Sequence, residues 1–281
     1  MTPQSTSAAL DTQPLQHPGG EYFFFGPPDR QLFASFHQPD TDIVRDTAVL
    51  LCYPWGQEYL ASHRAYLQLA LAIASQGYPV LRFDYAGTGD SSGPAEWCSL
   101  TSWREDVSAA ARELRNRAGV DLLCLGGLRL GGALAALAAA EEQDISGLIL
   151  WQPVVNGPRY LEDIRQRHQA MLWRSFATLP AASDANASLY QLGFPLSDSF
   201  LAELQALDLL SIATPPCPVA VFDNEEDEAT IRLQDRLRSR GGQVDRELIP
   251  SFAIWHEDVD KGLVPRQTID RIATWLRTHC P

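Results

Sequence analysis

Apolar runs of strand length alternate with amphipathic stretches of helical length through most of this chain. The strand-like runs fall at residues 33–37, 48–53, 79–85, 120–125 and 145–152. Between them lie helical patterns at 60–75 and 100–117, and a small-residue run, rich in alanine, at 131–140. Strands that alternate with helices call for a mostly parallel sheet covered on both faces. The rhythm breaks over residues 155–210, where helical segments carrying Trp173, Phe176, Tyr190 and Phe194 take over. It resumes with a strand at 218–223, a helix at 230–240, a short strand at 244–249 and a last helix at 265–277. The expected organisation is an α/β core formed by 21–154 and 211–281, with 155–210 inserted as a helical lid. Residues 1–20 are rich in Ser, Thr, Gln and Pro and lack an apolar signal-peptide core, so they read as a disordered tail.

Chemistry enters at one strand-to-helix junction. Gly127-Leu128-Arg129-Leu130-Gly131 has the G-x-S-x-G frame of a nucleophile elbow, with arginine at the centre. Glycines are needed at those offsets because the central residue sits in a strained turn crowded between strand and helix. A guanidinium stays protonated and cannot attack a carbonyl. The scaffold of a serine hydrolase is therefore expected without its nucleophile.

The remaining parts of such a site follow in chain order. Asp227 falls in the loop after the strand at 218–223, where the triad acid belongs, with Asp223 as second choice. His256 lies after the strand at 244–249 and before the final helix, with an ordinary loop histidine as the alternative. Two backbone N–H groups are needed for an oxyanion hole. Leu130 would supply one, and Trp55 or Gly56 the other, unless Pro54-Trp55-Gly56 is a plain turn. Glu58 in the turn segment, His63 near the start of the helix that follows, and Trp173 in the lid are candidate substrate contacts. The segment Asp84-Tyr85-Ala86-Gly87-Thr88-Gly89-Asp90-Ser91 reads as structural, and Ser91 or Ser92 as displaced nucleophiles are the weaker idea.

Charge and cysteine usage narrow the partners. A net charge of −13 and a pI near 4.8 argue against nucleic acid or an anionic membrane. The five cysteines form no metal-ligand spacing and read as reduced thiols, which with the missing signal peptide gives a cytoplasmic expectation. No metal or other cofactor is expected. The most apolar stretch, 122–140, is interrupted by Arg129 and glycines and reads as buried strand, turn and helix, with no membrane span.

Together these residues resemble the α/β-hydrolase superfamily over nearly the whole chain after Gly20. Within it they are similar to the exosortase A system-associated hydrolases and related biosynthetic-cluster proteins. That likeness rests on Gly56-Gln57-Glu58-Tyr59 with Ser62-His63-Arg64, on 81–91, on 127–131, on Leu150-Trp151-Gln152-Pro153-Val154-Val155 and on Gly193-Phe194-Pro195-Leu196-Ser197. It implies an α/β-hydrolase fold in which arginine at the elbow is a feature of the subgroup.

An elbow residue sits at a helix N-terminus, where an anion is favoured and a cation needs a counter-charge. If Arg129 holds a substrate carboxylate, phosphate or thioester-derived anion, a His256/Asp227 dyad could serve as general acid and base on a small or carrier-bound acyl substrate. If Arg129 is instead paired to Asp227, the protein is a catalytically dead binder or scaffold. A third reading is a weak esterase or thioesterase using a water activated by His256.

Overall fold

The computed structural model describes residues 15–17, 20–174, 190–255 and 263–280. His256, Phe176, most of the expected tail and part of the expected lid lie outside these residues.

The central element is a nine-stranded sheet. Its strands are β1 (Leu15–His17), β2 (Gly20–Phe25), β3 (Leu32–His37), β4 (Thr47–Cys52), β5 (Val80–Phe83), β6 (Leu122–Leu128), β7 (Ile145–Trp151), β10 (Val219–Asp223) and β11 (Val244–Leu248). Their spatial order is β1-β2-β3-β5-β4-β6-β7-β10-β11. The first three strands form antiparallel meanders, and β3 meets β5 antiparallel. From β5 to β11 every pairing is parallel. Parallel strands are buried on both faces and so lose polar alternation; all six residues of β4 are buried.

Helices α1 (Gln57–Ala74), α2 (Leu100–Ala118), α3 (Leu130–Ala139), α6 (Glu228–Ser239) and α7 (Arg266–His279) supply the cover. α1 packs with α7, and α2 with α3. In α2 the apolar stripe Trp103, Val107, Ala110, Ala111 and Leu114 is wholly buried, the spacing expected of one helix face. Ser99 caps that helix through the Ser102 N–H, and Gly119, at φ 69°, ends it in the left-handed conformation.

The alternation read from the sequence is present. Two boundaries moved for identifiable reasons. α1 begins three residues before the expected 60, because Gly56 (φ 67°) turns the chain and Gln57 to Tyr59 complete the first turn. β6 runs on to Leu128, because Gly126 and Gly127 still pair with Leu51 and Cys52. Two strands escaped the sequence reading: β2 extends the sheet, and Leu15–His17, within the expected tail, pairs with it as β1.

Between β7 and β10 lies the segment read from the sequence as a lid, 155–210, of which residues 175–189 are outside the described residues. The described part comprises α4 (Gly157–Arg174), the short hairpin β8 (Tyr190–Gln191) and β9 (Phe194–Pro195), and α5 (Asp198–Ala206). A bridge between Asn156 and Asp208 ties the base of this insertion together. All five cysteines are buried free thiols. Among the described residues no helix is long and apolar enough to cross a membrane, and no group of side chains could hold a metal ion.

Candidate functional site

Arg129 occupies the turn between β6 and α3 at φ 54° and ψ −121°, a conformation that side chains other than glycine rarely adopt. Glycines make the turn possible. A Cβ on Gly127 would lie 2.3 Å from the Gly131 carbonyl carbon, and one on Gly131 would lie 2.2 Å from the Cys52 carbonyl oxygen. The strand ends are stitched from below by Tyr66, whose hydroxyl donates to the Cys52 carbonyl (2.7 Å) and accepts from the Leu128 N–H (2.7 Å). The Arg129 N–H donates to the Trp151 carbonyl, which locks the turn to β7. Strain at this residue is therefore held by neighbours on three sides.

The guanidinium is enclosed in a ring of charges. Its Nε donates to Glu58 Oε1 (3.2 Å) and its Nη2 to Asp163 Oδ2 (3.1 Å). Arg167 closes the ring, with Nη2 2.8 Å from Glu58 Oε1 and 3.1 Å from Asp163 Oδ2. Tyr160 donates its hydroxyl to the other oxygen of Glu58 (3.0 Å). The rings of Tyr160 and Trp255 lie 5.5 and 5.1 Å from the Arg129 Cζ, within cation–π range. Two guanidiniums and two carboxylates leave the cluster neutral. Burying charged side chains is costly unless they are paired and hydrogen-bonded, and Glu58 is only 2% exposed. Burial alone would lower the Arg129 pKa, but Glu58, Tyr160 and Asp163 more than offset it and hold it above its ordinary value.

Three of these partners come from one face of α4. Tyr160, Asp163 and Arg167 stand at i, i+3 and i+7, a helical stripe. Sequence reasoning missed all three, although that polar stripe was visible in the chain. The fourth, Glu58, lies in the first turn of α1, where a helix dipole favours an acid.

Arg129 also forms part of the wall of a cleft of about 720 Å³ between α4 and the ends of β7 and β10. Its Nη1 makes no hydrogen bond among the described residues. Asp227 lines the same cleft but is turned elsewhere: it pairs with Arg159 Nη1 (2.6 Å) and caps α6 through the Thr230 N–H (3.0 Å). Asp223, at the end of β10, accepts from Arg246 Nε (2.8 Å) and the Thr230 hydroxyl (3.0 Å). Burial pushes its carboxyl above the ordinary value, and the bonds from Arg246 and Thr230 only partly restore it. Neither aspartate is the counter-ion of Arg129.

The other predicted residues are placed as follows. Trp55 is buried against the rings of Phe194 and Phe200, at 6.3 and 5.2 Å. Gly56 caps α1, and Leu130 opens α3 one residue after the elbow. The turns bearing Trp55, Gly56 and Leu130 are neighbours, since Cys52 pairs with Gly127. His63 stacks flat on Tyr53 at 5.9 Å and does not line the cleft. Trp173 stands 79% exposed in the last turn of α4 and does not line it either. Ser91 donates to the Asp84 carbonyl (2.6 Å) and accepts from the Phe33 N–H (2.8 Å), a structural role. The backbone N–H of Ser92 is likewise tied to the Gln31 carbonyl. Trp255, the last residue described before His256, packs beside Arg129.

Comparison with known proteins bears on the fold that carries this site. The model of the serine aminopeptidase S33 family matches residues 59–192, a span that contains Arg129 and ends before Asp227. The bovine mitochondrial palmitoyl-protein thioesterase ABHD10 is 38% identical over 93 residues, 31% of this chain and 29% of that protein. Human protein ABHD12B is 32% identical over 119 residues, 40% of this chain and 32% of that protein. The chain thus matches about a third or less of the length of these curated relatives. The solved proline iminopeptidase of Mycobacterium smegmatis superposes with a TM-score of 0.64 at 15% identity, covering 92% of this chain and 98% of that one. With the parallel sheet and the glycine-framed turn at Arg129, these likenesses show that this chain has the α/β-hydrolase fold.

Proposed function

We propose that this protein is a non-hydrolytic binder built on the α/β-hydrolase fold, which takes a small polar ligand in the cleft beside Arg129. One observation carries the reading: two of the three guanidinium nitrogens of Arg129 are already bonded to Glu58 and Asp163. With arginine in the nucleophile's position there is no group to form an acyl-enzyme, and most of its charge is spent inside the protein. The insertion carrying α4 and α5 then acts as a lid whose first helix is fastened to the elbow by the charge ring. The resemblance to exosortase A system-associated hydrolases supports a ligand drawn from a biosynthetic pathway.

A second reading keeps chemistry. Arg129 Nη1 and Asp227 border one cleft, so an acyl or carboxylate-bearing substrate, carrier-bound or thioester, could lie there with Asp227 and His256 as an acid–base dyad. The printed name of the bovine relative, a palmitoyl-protein thioesterase, is the support for a thioester.

Turnover of p-nitrophenyl butyrate and of a butyryl thioester separates the two. The binder reading expects the rate of the buffer blank with both. A kcat/KM of about 10⁴ M⁻¹ s⁻¹ or more, ordinary for an enzyme, overturns it.

A further inference from the structure

The cleft beside Arg129 has a charge pattern that selects among ligands. Five carboxylates line it against two guanidiniums. Arg129 is neutralised by the ring, and Arg159 by Asp227. Glu162 is paired with Arg165. Asp223 shares Arg246 with Glu226, and Glu225 makes no ion pair among the described residues. The surplus in and around the cleft is negative. An anionic ligand would enter against that field, whereas a cation would be drawn in.

A second observation points the same way. Gln152 and Asp223 follow the last paired positions of β7 and β10, Trp151 and Phe222, so their backbones are neighbours, and both line the cleft. Gln152 is 8% exposed and Asp223 3%. Each carries an acceptor oxygen, Gln152 Oε1 and Asp223 Oδ1, with no partner among the described residues. The orientation of the glutamine is fixed by a chain of bonds. The Ser251 carbonyl can only accept, so Asn224 presents its Nδ2 there (3.3 Å) and its Oδ1 to Gln152. Gln152 must then offer its Nε2 to Asn224, which leaves Oε1 as an acceptor. Gln152 also holds a positive φ of 42°, a strain that persists only where the surroundings enforce it. Two buried acceptors without a partner, both on residues that line one cleft, suit a donor with several N–H groups.

We propose that the ligand of this cleft is an amine-bearing small molecule whose ammonium group donates to Gln152 and Asp223 and is drawn in by the surrounding carboxylates. This rests on the binder reading for the location of the site and adds to it the class of ligand.

The test uses the full chain and three four-carbon probes that differ only in their ends: butane-1,4-diamine, butane-1,4-diol and succinate. Calorimetric titration at low ionic strength should find the diamine bound at least about tenfold more tightly than the diol, with no heat from succinate. Glu225→Gln, an exposed change that leaves the fold alone, should weaken the diamine about threefold and leave the diol unaffected. Asp223→Asn, checked by its melting temperature, should abolish the preference for diamine over diol. Succinate binding as tightly as the diamine, or silence from all three probes, overturns the proposal. Ester turnover by the same preparation would sink the binder reading instead, and the charge preference would still be read from the titration.

Discussion

Arg129→Ala removes one of the four charges of the ring, and the structure says what is left behind. Glu58, 2% exposed, keeps Arg167 and the Tyr160 hydroxyl, while Asp163, 31% exposed, keeps Arg167. Breaking a buried pair by deleting one partner costs about 3–5 kcal/mol when the other is stranded. Here Arg167 still contacts both acids and Asp163 reaches solvent, which lowers the figure. Lost cation–π contact with Tyr160 and Trp255 adds about 0.5–1 kcal/mol each. Alanine keeps a Cβ, so the strain at φ 54° is not relieved. The expected loss is about 2–4 kcal/mol. For a chain of 281 residues it should lower Tm by roughly 3–7 °C. Scanning calorimetry with urea titration of both proteins measures it. If Arg129 were instead held in readiness for a ligand, its removal would strand nothing, and a variant melting within about 1 °C of the parent would refute the ring as a structural device.

Two other perturbations follow from the same geometry. Tyr160→Phe removes a buried hydrogen bond to a charged oxygen and should cost about 1.5–3 kcal/mol by urea titration; an unchanged midpoint would mean that Glu58 does not depend on it. His37, buried beside Arg82, has its pKa lowered to about 3 by burial first and by that guanidinium second. Between pH 6.5 and 3 the unfolded chain therefore binds a proton that the folded chain refuses. Stability should be full above about pH 6.5 and fall by about 1.4 kcal/mol per unit below it. His37→Gln should flatten that slope, and equal slopes in the two proteins would show that His37 titrates normally.

The layered fold was legible because strand and helix periods write themselves locally in the sequence. The buried six-residue run of β4, the apolar run of β7, the alanine helix α3 and the glycines around Arg129 each announce a structure without reference to distant residues. β1 and β2 were missed because a short hairpin at a sheet edge is specified by its partner more than by its own pattern. The need of Arg129 for a counter-charge was legible from its place at a helix N-terminus. The identity of that charge was not. Chain order offered Asp227 as the triad acid and so as one possible partner, beside a substrate anion, yet it lies against Arg159 and the start of α6, while Glu58 and Asp163 reach Arg129 from 71 and 34 positions away. Such pairings are set by how α4 packs over the elbow, which no local pattern encodes.

The central claim is that Arg129 fills the elbow from within and leaves no acyl-transfer site behind it. It is tested most directly by intact-mass measurement after fluorophosphonate treatment of the native protein and of Arg129→Ser, with ester turnover followed in parallel. Glu58, Asp163 and Arg167 would still crowd the elbow of the variant, and Asp227 would still be held by Arg159. Neither protein should be labelled, and neither should turn over ester above the blank. Stoichiometric labelling of the introduced serine in the variant with recovered ester hydrolysis, or of any serine in the native chain, would contradict it.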